Sequence, residues 1–589
     1  MSELIKVAAA LRSMSDEKLL SLITQRMVNS AQLLDFFDLA EALTKPASIS
    51  STIAGLPLSQ ARELRSLAAG NSANTKVAPD LADQMLISPA PEFAPYESTL
   101  NGMLEFSKLN PPSLNTVSIV TLDSEDAPVQ DQVDRDSGVE IFETLQAITE
   151  LIFDLEHRYV REVGRKNVGL PDLKRFANHL HKSTDYAKQI YELALLAGLI
   201  TLSEGRWQLS IGAELWLGWA PDKRFVHLAK TWREILGDAS SLELQLSLKK
   251  QSGVVSLDNQ LKLVYPFADG SVTSKISKLA NLASLIGLAS AGWMSSWAKQ
   301  VLDCNYEAAS KLAAAKLPTP QRKLICQADL SLIAPGPLPT DVEIIVRRFA
   351  DTEQIGMAST YRLSALSISH GLETGLTVSE IRELLSELSD KDLPQPIEYL
   401  LNESEARFAR LTIWGGENDE RTYLKSTDKV LLAEIINESK LKPFALQQLE
   451  DGSLACRFES DVLYFGLREL GFVAVRVDTS GKVISPLAVS ERKQQVSVGN
   501  PVLADITRLR EQEEKLGSSP DDDDLQRQIQ LAIKNKARAT FTVTSNSGAE
   551  VEFLLEPIGI ANGRLRAKDR KADIERTLPI TSIIKVTLD

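Results

Sequence analysis

The sequence predicts a multidomain α+β protein, mostly helical in its N-terminal half and strand-rich at its C-terminal end. Three observations predict it. A chain of 589 residues with 43% hydrophobic and 24% charged residues has a globular composition and is too long for one core, so three to five domains are expected. Apolar residues near the N-terminus recur at helical spacing, as in Leu19, Leu20, Leu22 and Ile23, then Leu33, Leu34, Phe36, Phe37 and Leu39. The C-terminal segment instead alternates between turn signals at Asn546-Ser547-Gly548 and Ala561-Asn562-Gly563.

Composition excludes several classes. The N-terminal stretch "MSELIKVAAALRSMSDEKLL" has no long apolar run followed by a small-residue cleavage site. The most apolar stretch, Leu279 to Trp297, is broken by Asn281, Gly287 and Gly292, so no membrane span is expected and the protein should be cytoplasmic. Cys304, Cys326 and Cys456 are odd in number and far apart, which fits neither a disulfide framework nor a zinc site; small core residues are expected. The net charge of −14 argues against a general nucleic-acid-binding field, because phosphate contacts need Lys and Arg, but leaves room for a local patch.

Along the chain, residues 1–70 read as an N-terminal helical domain, with Ser15 capping a helix whose first turn carries Asp16 and Glu17. Prolines then interrupt every periodicity and acids gather in "DSEDAPVQDQVDRD", which reads as a Pro-rich acidic linker over 71–136. Residues 137–236 open on the amphipathic "GVEIFETLQAITELIFDLEHRY" and continue with two short helices, Leu170 to Leu180 and Asp185 to Leu196. Gly198 closes the second helix, and "LITLSEGRWQLS" alternates about Glu204-Gly205 as a hairpin does. Helix, turn, helix, hairpin is the winged-helix plan, in which the second helix enters the major groove and the hairpin meets the backbone. Lys188 and Gln189 on that helix and Arg206 on the hairpin are the candidate contacts, beside Asp185 and Glu192 of opposite sign. Trp207, Trp216, Trp219 and Trp232 read first as a seam between helices and second as a stacking platform. Residues 237–318 read as a further helical domain without a motif.

The stretch "KLICQADLSLIAP" alternates as a strand, Pro335-Gly336-Pro337 turns the chain, and a helix starts with Thr340 or Asp341 as cap. A strand and helices follow, one capped by Thr377 or Ser379, the last limited by Pro394. The order "QADLSLIAPGPLP", "FADTEQIGMASTYRLSALSISHGLETGLTVSEIRELLSEL", "LPQPIEYLL" resembles the helicase-associated domain found beside XPB-type helicases and in long actinobacterial proteins without a motor. The resemblance covers Leu324 to Glu403, within an α/β domain drawn at 319–405, and "LRSMSDEKLLSLITQRM" resembles the N-terminal repeat of those proteins. It implies a nucleic-acid setting and brings no catalytic residue.

Residues 406–490 read as an α/β extension and 491–526 as a charged helix with the acidic linker "GSSPDDDD". Residues 527–589 have the plan of a small SH3-like or Sm-like β-barrel and resemble the WYL domain, with Arg564, Leu565 and Arg566 where that family has its Trp-Tyr-Leu triplet. Arg564, Arg566, Lys568, Arg570, Lys571 and Arg576 fall in one strand-turn-strand unit, and the first three share a face because strand side chains alternate. That face is the candidate phosphate-positioning surface, with a charged edge strand protected against aggregation as the other reading.

No Gly-x-x-x-x-Gly-Lys-Ser/Thr cradle occurs, so no ATP-driven motor, cofactor or enzymatic activity is expected. The five histidines offer little for metal or triad chemistry; His179 and His181 would stand about 200° apart on a helix, and His370 reads as a surface or cap residue. The expected function is a non-catalytic, nucleic-acid-associated protein with DNA as partner. The alternatives are a protein-binding scaffold or transcription-regulatory adaptor, and an accessory subunit of a separate helicase or of repair proteins.

Overall fold

The computed structural model describes residues 3–108, 128–164, 166–203, 205–249, 253–415, 421–478, 480–484, 501–516, 529, 532–533, 538–544, 550–561, 563–569 and 574–588. Contacts divide the chain into two units. One holds residues 1–53, 60–110 and 498–589; the other holds 54–59 and 111–497.

The first unit begins with helices α1 (Glu3–Ser13), α2 (Asp16–Gln25), α3 (Phe36–Thr44) and α4 (Pro46–Ala54), followed by α5 (Leu58–Ala68), α6 (Ala78–Asp83) and α7 (Glu97–Lys108). Ser15 accepts from the Lys18 amide, so the cap read from the sequence is in place. The described part of the proline-rich stretch after residue 70 is folded rather than a linker. Pro79 sits in the first turn of α6, where its missing N–H costs nothing, and Leu81, Met85, Leu86, Ile87 and Tyr96 are buried. The charged helix near residue 500 returns to this core. Ile506 and Leu509 bury among Leu11, Leu19, Phe36 and Leu39, and Arg508 and Arg510 donate to the carbonyls of Ser30 (3.0 Å) and Arg12 (2.6 Å).

The second unit is built around α8 (Gln130–His157), which is buried on nearly every side beyond Thr144. Then come β1 (Val160–Val163), β2 (Asn167–Val168), α9 (Leu170–His179), α10 (Thr184–Leu196), β3 (Ile200–Ser203) and β4 (Arg206–Leu209). The strands form one antiparallel sheet in the order β2-β1-β4-β3. Trp207, Trp216 and Trp232 are buried, with the Trp232 indole donating to the Leu279 carbonyl, so they serve as the seam.

Helices α11 (Ile211–Leu217), α12 (Pro221–Leu236) and α13 (Asp238–Leu248) lead to α14 (Leu257–Val264), α15 (Gly270–Leu285), β5 (Ala289–Ser290), β6 (Trp293–Met294), α16 (Ala298–Leu302) and α17 (Tyr306–Ala314). This stretch is not motif-free: α14, α15, β5 and β6 repeat the plan of α9, α10, β3 and β4. Gly198 and Gly287 both take left-handed φ, +68° and +67°. After each, the next amide donates back over the helix end, Leu199 to the Ala194 carbonyl (2.9 Å) and Leu288 to the Ala283 carbonyl (2.8 Å). Ser210 and Ser295 then donate to the Leu199 and Leu288 carbonyls, each at 3.0 Å. The short β5–β6 hairpin hid the second copy from a reading based on alternation.

Next come β7 (Ile325–Cys326), β8 (Ser331–Ala334), α18 (Thr340–Phe349), β9 (Asp351–Gln354), β10 (Ser359–Arg362), α19 (Ala365–Glu373), α20 (Val378–Leu388) and α21 (Gln395–Arg407), with sheet order β7-β8-β10-β9. The stretch expected as one strand is a hairpin, because Gln327 N–H bonds the Ser331 carbonyl (2.9 Å) and Asp329 accepts from the Ser331 amide (3.1 Å). Pro339, not Thr340, occupies the cap of α18, and the capping box of α20 is Thr377 with Glu380. A second sheet, β13-β14-β12-β11-β15, follows from β11 (Leu411–Gly415), β12 (Thr422–Ser426), β13 (Gln447–Gln448), β14 (Leu454–Cys456) and β15 (Val475–Arg476), packed with α22 (Lys429–Asn437) and α23 (Ser460–Glu469).

The first unit closes with α24 (Pro501–Leu516), the charged helix above, and with β16 (Ala539–Thr544), β17 (Glu550–Ala561), β18 (Arg564–Asp569), β19 (Ile574–Pro579) and β20 (Ile583–Leu588), antiparallel in the order β19-β18-β17-β16-β20. A bulge between Pro557 and Gly559 bends the long β17 so that it serves both halves of the sheet. Among the described residues no helix is long and apolar enough to cross a membrane. Cys456 is buried as expected, but Cys326 is half-buried and Cys304 exposed, at the left-handed residue that ends α16.

Candidate nucleic-acid interface

Three surfaces carry the residues singled out by the sequence. On β18, Arg564, Arg566 and Lys568 are exposed while Leu565 and Ala567 are buried, as the alternation requires. Their charge is largely met locally. Arg566 pairs with Glu575 (2.8 Å), Arg576 with Asp569 (2.9 Å), and Lys568 lies in register between Glu556 and Glu575. Among the described residues Arg564 has no carboxylate partner; Arg570 and Lys571 lie outside the described residues.

On α10, Lys188 is exposed, but Gln189 turns toward a cavity of about 250 Å³ between α8, α10 and α15, with Glu140, Tyr186 and Asn281 in its wall. Burial pushes Glu140 up to about 7, partly offset by the Ser290 hydroxyl that donates to it. Glu192 is bound to Lys278 of α15 at 3.0 Å. The helix therefore presents Lys188 beside Asp185, not a coherent cationic face.

On the β2-β1-β4-β3 sheet, Arg206 is half-buried and both its terminal nitrogens reach Asp461 Oδ2 at 3.3 Å. Arg161 of β1 stands directly opposite it in the ladder and is exposed. The Tyr159 ring lies 5.6 Å from the Arg161 guanidinium and 5.3 Å from that of Arg206, and its other contacts are with the core of the β11–β15 sheet. Arg476 of β15 reaches Asp461 Oδ1 at 2.5 Å. Sequence reading found Arg206 but missed Arg161, although "HRYVREVGRK" shows the local basic run plainly.

Beneath this surface runs a buried ionic layer between α8 and the helices that follow β8. Arg347 forks onto Glu343 (2.7 and 3.0 Å), pairs with Glu150 and donates to Gln146 (2.6 Å). Further along, Glu373 accepts from Tyr464 (2.7 Å) and Arg468 (2.6 Å). His370 is 1% exposed, not a surface residue; its ring lies 3.9 Å from that of His157 and its Nε2 3.4 Å from Glu156. Among the described residues no group of three His, Cys, Asp or Glu stands as metal ligands would.

Comparison with known families places one part of this architecture. Residues 324–450 match the helicase conserved C-terminal domain. The helicase C-terminal match begins at β7, spans α18 to α21 and the first sheet, and runs through β13 of the second. It contributes Glu343, Arg347, Arg348, His370 and Glu373 to the buried layer, so α8 docks directly on the matched domain. No curated protein matches the chain.

Proposed function

We propose that the chain is a non-catalytic, DNA-associated protein in which winged-helix modules are joined to a helicase C-terminal-type domain, without an ATPase motor of its own. The observation that carries the reading is the helicase C-terminal match at residues 324–450. Two further features support it. The order α8, β1, α9, α10, β3, β4, with β1 closing the hairpin into a sheet, is the winged-helix order, and α14 to β6 repeat its helix–helix–hairpin part. The five-stranded sheet with its bent β17 fits an SH3-like or Sm-like, WYL-type module. A scaffold or helicase-accessory role is the second reading, favoured by the pairing of Arg566, Arg576 and Arg206 with carboxylates and by the net charge of −14.

Binding of labelled single-stranded and duplex DNA by the full chain, at low and moderate salt, separates the two. Affinity that falls steeply with salt supports the DNA reading, since each neutralised phosphate adds about 0.9 to the slope of log K against log salt on duplex DNA. No binding at low salt leaves the scaffold.

A further inference from the structure

We propose that Arg161, Arg206 and Arg476 form the site that grips a phosphodiester backbone, and that Asp461 is an internal anion competing for it. The inference rests on the DNA reading above and gives it a location. Directly opposite residues in an antiparallel pair share a face, so the β1–β4 register sets two guanidiniums side by side. Like charges so placed destabilise a sheet. Here the arrangement is held by the Tyr159 ring, within cation–π reach of both, and by Asp461, which takes Arg206 from one side and Arg476 from the other.

The local charge does not balance. Three guanidiniums meet one carboxylate, and among the described residues Arg161 has no acidic partner. Burial pushes the Asp461 carboxyl up, but Arg476 and Arg206 together overcome this and hold it below the usual range, so it stays ionised as the lone counter-charge. The Asp461 side chain is 28% exposed and Arg161 is exposed, so the cluster opens to solvent. Lys166, exposed at the β1–β2 turn, extends the cationic strip along the same hairpin.

The donor geometry suits a phosphate. A guanidinium has five N–H groups in a planar fork that matches two phosphate oxygens. Arg206 uses its two terminal nitrogens on one oxygen of Asp461, and Arg476 uses one nitrogen on the other. Among the described residues their Nε–H groups are buried without an acceptor, so it is the terminal nitrogens that a phosphate would engage. A phosphodiester meeting Arg161 would engage Arg206 from the same side, taking over bonds that Asp461 now accepts.

The test is fluorescence anisotropy of a labelled oligonucleotide, single-stranded and duplex, titrated with the full chain across a KCl series. Arg161→Ala removes an exposed side chain that has no acidic partner among the described residues; with the urea midpoint checked alongside, binding should weaken at low salt and the log–log salt slope should fall by about 1. Asp461→Asn keeps the shape and removes the competing charge, so affinity should rise several-fold, the opposite sign to that of a merely structural residue. Titrating inorganic phosphate into the native chain and Arg161→Ala by calorimetry separates backbone recognition from a free-phosphate site: phosphate binding lost in Arg161→Ala while oligonucleotide affinity and salt slope stay unchanged would overturn the phosphodiester assignment. If the native chain binds and Arg161→Glu binds equally with an unchanged slope, the site lies elsewhere and only this inference falls. If the native chain does not bind at low salt, the DNA reading falls and takes the site with it.

Discussion

The His157 and His370 rings meet at a tilt of 46° inside the second unit, where a charged imidazole would be costly. Burial first, and then each other's neighbourhood of cations, pulls both below the ordinary histidine range, His157 to about 4. The groups facing them are Glu156 on α8, Arg348 on α18, Glu373 on α19, Tyr464 and Arg468 on α23 and Arg476 on β15. Burial pushes Glu156 up, so it opposes the histidines. Below about pH 6.5 the unfolded chain binds protons on two imidazoles that the folded chain binds less readily, whereas Glu156 and Glu373, both raised by burial, hold their protons to higher pH in the folded chain than in the unfolded one. The imidazoles therefore contribute stability that is present near pH 7 and is lost as pH falls below about 6.5, and the two carboxyls contribute in the opposite sense. Glu156→Gln should steepen the loss and His370→Gln should flatten it, read from urea midpoints by tryptophan emission between about pH 7 and pH 5. A slope unmoved by either variant would refute the assignment. None of this was visible in "SISHGLE", because burial of His370 depends on α8 packing over α19 from far along the chain.

The two helix–helix–hairpin elements end their second helices by the same device, yet their glycines face different surroundings. A Cβ on Gly198 would meet nothing within 4 Å, while one on Gly287 would stand 2.4 Å from the Ser137 carbonyl of α8. Gly198→Ala should therefore cost only the left-handed penalty of about 1–2 kcal/mol, and Gly287→Ala should cost distinctly more because α8 must move. Equal urea midpoints for the two would contradict the packing of α15 against α8. Element by element, the helix starts at Ser15 and Thr377, the C-terminal glycine at Gly198 and the alternation of β18 were legible, since caps, φ preference and strand period are set by residues within a few positions. The second copy was not, as β5 and β6 are two residues each and carry no alternation to read. The hairpin at β7–β8 was missed for a related reason: Leu330 turns at φ +71° without a glycine to mark it.

Over the whole molecule, all seven tryptophans, from Trp207 to Trp414, lie in the second unit, so tryptophan emission reports on that unit alone. Two of its cores, those of the helicase C-terminal match and of the β11–β15 sheet, draw among the described residues only on residues within 128–484. A fragment of those residues should fold alone, with native-like emission and a cooperative urea transition; emission of an unfolded chain without urea would show otherwise. Composition and period by themselves determined the mixed α+β class, the succession of helical and strand-rich segments and the cationic run on β18, because each is a property of neighbouring residues. Tertiary structure alone decided which cations are paired with carboxylates. Arg206 and Asp461 are 255 residues apart in sequence, and a salt bridge forms only where the fold brings two side chains within 4 Å, a distance that no local pattern encodes.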